Sequence, residues 1–301
     1  MMLEKNLAVE SEQLQSLEAL AETYEIVAAT TMRRIRQSVL VNRAFHIGLN
    51  RIFSEVKKAH QKETELFIRQ EQGTKKSVLG RKRKGKTILV LFSANTALYG
   101  DIIEKTFSRF VKELKSFREP PEVVVIGRLG KTFFEETFPA TPFFYFESSD
   151  HGVLPDVIKK LAGQLSKHEK VLSFHGIFKN LLIQQAGMTN LSGEVAPLEK
   201  DQKDEAISYL FEPSLETIVI FFETEIFASL LEQAFHESHL SRVASRFVLM
   251  DKATINIERE LVGLTFKKNI VRHRTGNRKL INSLSGFPLW KDSSVQPSHP
   301  S

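Results

Sequence analysis

Between Met1 and Glu119 the chain contains no proline, and its first glycine is Gly48. Apolar residues fall at Leu3, Leu7, Leu14, Leu17, Tyr24, Val27, Ala28, Ile35, Val39, Leu49, Ile52, Phe53 and Val56. Spacings of three, four and seven put these on one helical stripe and suit a coiled-coil seam. The same period returns near the other end, at Leu240, Val243, Ala244, Phe247, Met250, Ala253 and Ile257, inside a span bounded by Pro213 and Pro288. About 75 residues of uninterrupted helix would reach roughly 110 Å at 1.5 Å per residue. A helix of that length needs a partner along it, and two terminal helices flanking a folded middle must pair antiparallel.

The middle of the chain changes period. Short apolar runs at Ile88–Phe92, Val123–Ile126, Phe143–Phe146 and Val171–Phe174 read as buried strands, and Asp101–Phe117 and Leu154–Lys167 have helical spacing. Strands alternating with helices predict a mostly parallel, Rossmann-like sheet. The expected architecture is therefore α/β: a long antiparallel coiled coil of the N- and C-terminal helices with an inserted Rossmann-like domain. Its divisions are an N-terminal shaft helix (1–72), a basic linker (73–86), the α/β domain (87–212), a C-terminal shaft helix (213–286) and a disordered tail (287–301) that holds the single tryptophan, Trp290.

Charge and composition narrow the chemistry. The chain has no cysteine, which excludes disulfides and thiolate catalysis. A net charge of +6 favours acidic partners. The opening MMLEKNLAVESEQLQ reads as neither a signal nor a transit peptide, and no apolar run is long enough to span a bilayer. Along the first helix, Glu4, Glu10, Glu12, Glu18, Glu22 and Glu25 give way to Arg33, Arg34, Arg36, Arg43 and Arg51, and the next acid is Glu55. That asymmetry fits either a solvated face or a surface that meets different partners at different heights.

Several candidate sites dissolve on inspection. Gly80 to Thr87 satisfies the phosphate-loop pattern G-x-x-x-x-G-K-[ST], but a strand is predicted to follow it, whereas a working loop opens a helix whose N-terminus faces the phosphates. No aromatic interrupts its basic run, so nucleic acid is not expected as a partner. The loop after the first strand, Ser93 to Gly100, offers one glycine where a dinucleotide site needs several, and no cofactor is expected. His236 and His239 are three apart on a helix without a cysteine or acid cluster to complete a metal site, and read as a solvated pair. Ser148, Ser149, Asp150 and His151 lie side by side, whereas a catalytic triad draws on separate segments, so they read as a turn and cap.

The run Tyr24-Glu25-Ile26-Val27-Ala28-Ala29-Thr30-Thr31-Met32-Arg33-Arg34 resembles the first helix of gamma subunits of F-type ATP synthases. Ser241, Arg246, Met250-Asp251, Ala253-Thr254, Asn256, Asn269 and Arg272 resemble that family's last helix. Between them, Ser93, Leu98 and Gly100 match its motif S-x-D-R-G-L-C-G, from which Asn95, Thr96, Ala97 and Tyr99 depart. Val124 to Lys131 with Phe133-Phe134, and Phe211-Glu212-Pro213-Ser214 followed by Glu225 to Leu231, also resemble family segments, so the similarity covers roughly residues 14 to 286.

The resemblance implies a non-catalytic rotor subunit of a rotary ATP synthase that couples ion flow to ATP synthesis or hydrolysis. Its implied partners are the alpha and beta subunits of the catalytic ring, the epsilon subunit and the membrane c-ring, with the complex peripheral on the cytoplasmic face of a bacterial inner membrane. Implied contacts with beta are Arg33, Arg34, Tyr99, Asn269, Arg272 and His273. In the last of these stretches the family pattern N-x-x-R-Q-x-x-I-T-x-E-L meets His273 in place of glutamine, Gly276-Asn277 in place of isoleucine-threonine, and Lys279 in place of glutamate. The competing readings are a paralogous stalk-like subunit of another ATPase ring and an enzyme that uses a nucleotide.

Overall fold

The computed structural model describes residues 2–59, 84–147, 149, 155–192 and 215–285. The element order is α1 (Met2–Ala59), β1 (Lys84–Phe92), α2 (Ile102–Leu114), β2 (Glu122–Ile126), α3 (Arg128–Thr137), β3 (Phe144–Phe146), α4 (Pro155–Leu165), β4 (His168–Phe178), β5 (Gln184–Asn190) and α5 (Leu215–Ser285). The chain divides into two compact units, one of Met1–Glu25 with Met250–Ser301 and one of Ile26–Leu249.

The larger unit is built on a five-stranded sheet of order β3-β2-β1-β4-β5. Strands β1 to β4 are parallel, and β5 returns antiparallel along β4. Side chains alternate across the sheet, as a period of two requires. Ile88, Val90 and Phe92 of β1 join Val124, Ile126, Leu161, Leu165, Leu231 and Phe235 on the face covered by α4 and α5. Leu89 and Leu91 join Val123, Val125, Phe174, Phe110 and Phe134 on the face covered by α2 and α3. Two elements were absent from the apolar pattern. Strand β5, with sequence QQAGMTN, has no apolar alternation and forms because the hairpin from β4 presents it with a ladder of backbone partners. Helix α3 begins inside the stretch Val124 to Lys131, at Arg128, after Gly127 turns the chain with φ 95°.

In the same unit α1 packs on α5. Ala28, Ile35 and Val39 meet Leu240 and Val243, and farther along Leu49 and Phe53 meet Ile226 and Phe222. Numbers rise on one helix as they fall on the other, so the pair is antiparallel. The buried line of α1 recurs every seven residues at Ala21, Ala28, Ile35, Asn42, Leu49 and Val56, the repeat of a supercoiled pair. Leu17, Tyr24, Val27 and Ile52, which the apolar spacing assigns to the seam, are exposed instead, because a strict seven-residue line is narrower than the full set of apolar positions. In the smaller unit, Ala21, Met250 and Leu264 are buried, while Val262, Phe266, Leu280, Ile281 and Leu284 face outward.

Strand β1 starts at Lys84, within the stretch expected to be linker, and Lys86 and Thr87 are strand residues rather than the first turn of a helix. The remainder of the glycine-lysine run, Gly80 to Arg83, lies outside the described residues, as do Ser148, Asp150, His151, Trp290 and the expected tail. No helix among the described residues is long and apolar enough to cross a membrane.

Candidate functional site

Helix α5 is buried without a break from Glu237 to Ser245, although Glu237, Ser238, His239, Ser241, Arg242 and Ser245 are polar. Burying a polar side chain costs free energy unless it is paired; Glu237 and Arg242 are paired, whereas Ser241 Oγ is buried without a hydrogen-bond partner. Here α1 covers one side and the carboxyl end of the sheet covers the other.

The sheet grips the helix through two arginines one turn apart. Arg242 Nη1 donates to the carbonyl oxygen of Ser93, 2.7 Å away and directly after β1, and its Nε lies 3.3 Å from the Ser238 carbonyl. Arg246 Nε donates to the Leu98 carbonyl at 3.2 Å, and its Nη2 reaches the Ala97 carbonyl at 3.1 Å and Thr96 Oγ1 at 3.3 Å. The ring of Tyr99 lies beneath both guanidinium groups, 5.6 Å from Arg242 and 3.9 Å from Arg246. A cation over a ring face adds roughly 0.5–2 kcal/mol to these charge-assisted bonds.

The loop pays a conformational cost for this shape. Leu98 has φ 68° and Gly100 φ 59°, and a non-glycine residue in the left-handed region costs roughly 1–2 kcal/mol. The twist turns the carbonyls of residues 97 and 98 toward Arg246. It also brings Gly100 so near α5 that a Cβ there would lie 2.6 Å from Ser245 Oγ. In an open α/β sheet the crevice at the strand ends, where the order reverses, is where ligands bind. At the end of β1 that place is taken by the Arg242 side chain.

Two further polar contacts line the buried segment. Glu237 accepts from Arg43 of α1 and from Gln233. His175 on β4 lies 3.2 Å from the Gly176 carbonyl through Nδ1 and 3.0 Å from Thr189 Oγ1 through Nε2. The carbonyl can only accept, so Nδ1 carries the proton and Nε2 accepts from threonine. Burial lowers the His175 pKa, against the opposing pull of the Gly176 carbonyl and of Glu237.

The six residues singled out in sequence fall into three places. Arg33 and Arg34 are exposed neighbours on α1 in the larger unit. Asn269, Arg272 and His273 are exposed within about one turn of α5 in the smaller unit. Tyr99 is only 4% exposed; it is interior, held under Arg246, and the residues its loop offers to solvent are Thr96, Ala97, Leu98 and Gly100. Arg242 and Glu237 were not singled out, and Arg43 entered only as one of a run of arginines, because nothing in a linear sequence separates an arginine turned toward a buried partner from one turned to water. His236 pairs with Glu232 at 3.4 Å while His239 is buried, so the two do not form a solvated pair. Among the described residues no cluster of three or more metal-ligating side chains occurs.

A family model described as ATP synthase matches residues 5–287. The ATP synthase gamma chain of Roseiflexus sp. (strain RS-1) is 24% identical over 281 residues, covering 91% of this chain and 93% of that one. The gamma chain of Pelotomaculum thermopropionicum is 20% identical over 282 residues, covering 91% and 94%. Among solved structures, the fold resembles a chain of the Euglena gracilis mitochondrial ATP synthase rotor, with TM-score 0.55, 14% identity and coverage of 90% and 99%. It also resembles one from the central stalk and c-ring of the Tetrahymena thermophila mitochondrial enzyme, with TM-score 0.51, 19% identity and coverage of 78% and 99%.

Proposed function

The chain belongs to the ATP synthase gamma-chain family, and from that premise we propose that it is the central-stalk rotor of a rotary F-type ATP synthase, a subunit that makes and breaks no bonds itself. In this reading it turns inside a ring of alpha and beta subunits. Its α/β domain, with the epsilon subunit, rests on the membrane c-ring, on the cytoplasmic face of a bacterial inner membrane. Arg33, Arg34, Asn269, Arg272 and His273 are the residues that meet beta. Tyr99 acts at one remove, by carrying the arginine that shapes its loop.

The observation that carries the mechanism is the grip of loop 93–100 on α5. A rotor must pass torque from the part that is driven to the helices that do the work, and slip between them would dissipate it. One ion crossing 100 mV releases about 2.3 kcal/mol. Hydrogen bonds to charged groups contribute about 1.5–3 kcal/mol each, and Arg242 and Arg246 together make several to the loop. Joined by the ion pair of Arg43 with Glu237, they make sheet, α5 and the adjoining part of α1 turn as one body. Turning an asymmetric body inside the ring favours a different conformation of each catalytic site in turn.

The test uses the absence of native cysteine. A cysteine at the exposed Leu98, paired with one placed on the facing surface of beta in the assembled complex, forms a disulfide only if the two Cα atoms come within about 7 Å. Oxidation is expected to stop ATP hydrolysis and reduction to restore it. Full activity in a quantitatively cross-linked complex overturns the rotor reading, and failure to co-purify with a catalytic ring overturns the assignment of partners.

A further inference from the structure

Helices α1 and α5 pack along a seven-residue repeat, and such a repeat fits itself again when one helix slides past the other by seven residues. Phe53 faces Phe222, with ring centroids 5.6 Å apart. Seven residues away on each helix, His46 Nδ1 lies 3.5 Å from Ser229 Oγ. This register sets Leu49 level with Ile226 and Ile35 level with Leu240, and each of those pairs shares an apolar cluster. Between the two it sets Asn42 level with Gln233. The apolar levels would pair again after a slide of one heptad in either direction. The polar level between them would not.

We infer that Asn42, Arg43 and His46 of α1, with Ser229, Gln233 and Glu237 of α5, form a register lock that holds the two helices at one axial position. In the observed register polar groups meet polar groups. Arg43 donates to Glu237 Oε1 at 2.6 and 3.1 Å, and Gln233 donates to the same oxygen at 3.0 Å. His46 lies by Ser229 and, at 2.7 Å, by Asn50 of its own helix. Slid by one heptad, about 10 Å, Asn42 would stand level with Leu240 or Ile226 and Gln233 with Ile35 or Leu49, and the buried Glu237 carboxylate would lose Arg43. Taking one partner from a buried ion pair is strongly unfavourable, whereas apolar residues in place of both are often neutral or better. The block therefore contributes selectivity among registers rather than stability. Asn42 makes this plainest: it lies on the buried line of α1, 8% exposed, and its Oδ1 has no hydrogen-bond partner among the described residues. One asparagine in an otherwise apolar seam gives up stability and fixes the register. The grip of loop 93–100 holds α5 to the sheet, and the lock holds α1 to α5.

The chain has no native cysteine, so Val41→Cys and Phe221→Cys, at positions 59% and 57% exposed, can carry nitroxide labels for double electron-electron resonance on the full chain. Their separation lies mostly along the helix axis, and a slide of one heptad changes it by about 10 Å. The labelled chain is expected to give one distance. Adding Asn42→Leu, Arg43→Leu and Glu237→Leu together is expected to leave helix content unchanged by circular dichroism and to bring in a second distance about 10 Å from the first. Asn42→Leu by itself should raise the thermal midpoint. A single unshifted distance in the folded triple variant, or a lowered midpoint in Asn42→Leu, overturns the inference. If the triple variant does not fold, the milder pair Arg43→Leu with Glu237→Leu decides by the same two distances. None of these readings depends on assembly with a catalytic ring, so failure here leaves the rotor assignment standing.

Discussion

Gly176 on β4 and Ser241 on α5 pack so tightly that a Cβ at residue 176 would stand 2.9 Å from Ser241 Cβ and 3.0 Å from Ile102 Cγ1. Neither neighbour can swing aside, because Ser241 is fully buried and Ile102 nearly so. Gly176→Ala is therefore expected to lower stability by about 1–3 kcal/mol, the usual cost of overpacking, read as the shift in denaturant midpoint. Ser241→Gly in the same chain should recover part of that loss, and a single-variant loss unaffected by Ser241→Gly would locate the strain elsewhere.

The ion pair of Arg43 with Glu237 joins a partly exposed arginine to a buried carboxylate, at 2.6 Å. Arg43→Ala takes the charged donor from that carboxylate and leaves it the bond from Gln233, and about 2 kcal/mol of destabilisation is expected. Arg43→Leu with Glu237→Leu should cost less than the sum of the single changes. Strict additivity in a double-mutant cycle would show that the pair is not coupled.

Arg246→Ala removes bonds to two carbonyls and the cover over Tyr99. In the assembled complex, ion pumping per ATP hydrolysed is expected to fall several-fold, with hydrolysis less affected. Arg246→Lys should recover only part of the coupling, since an ammonium keeps the charge and loses the planar fork. Unchanged coupling in Arg246→Ala would remove this residue from torque transmission.

His175 predicts the acid limb of the stability profile. Burial holds its pKa below the ordinary imidazole value, which is about 6.5 in an unfolded chain. The unfolded state thus binds a proton more readily, so the stabilisation is fully present above about pH 6.5 and drains away as pH falls below it. His46, also lowered by burial, acts in the same direction. Thermal midpoints measured from pH 7.5 to 5 should decline, and His175→Gln should decline less steeply. Parallel slopes for the two proteins would count against this assignment.

Arg272 is exposed on α5 in the smaller unit, with Asn269 and His273 beside it. If it meets an acidic surface of beta, Arg272→Ala should reduce coupled ATP hydrolysis while leaving the fold intact by circular dichroism. Gly276, four residues on, weakens the helix locally by about 1 kcal/mol relative to alanine, so Gly276→Ala should raise helix content. Wild-type hydrolysis and coupling in Arg272→Ala would remove the contact.

What the sequence determined by itself was whatever depends on local period and on punctuation. Proline-free spans with apolar residues every three or four positions specified α1 and α5 and, since they flank a folded middle, their antiparallel pairing. The apolar runs at β1, β2 and β4 specified parallel strands, because a strand buried on both faces must be apolar at nearly every position. Tertiary structure decided the rest, and for a consistent reason: those features depend on what lies across a gap of many residues. Strand β5 exists because β4 offers it hydrogen bonds, and no pattern in QQAGMTN records that. Tyr99 is interior because Arg246, 147 positions away by number, covers it. The same long-range contacts turned Arg242 into a buried clamp on Ser93 and left Phe45 and Ile47 in water, a division between inside and outside that the residue types alone would have reversed.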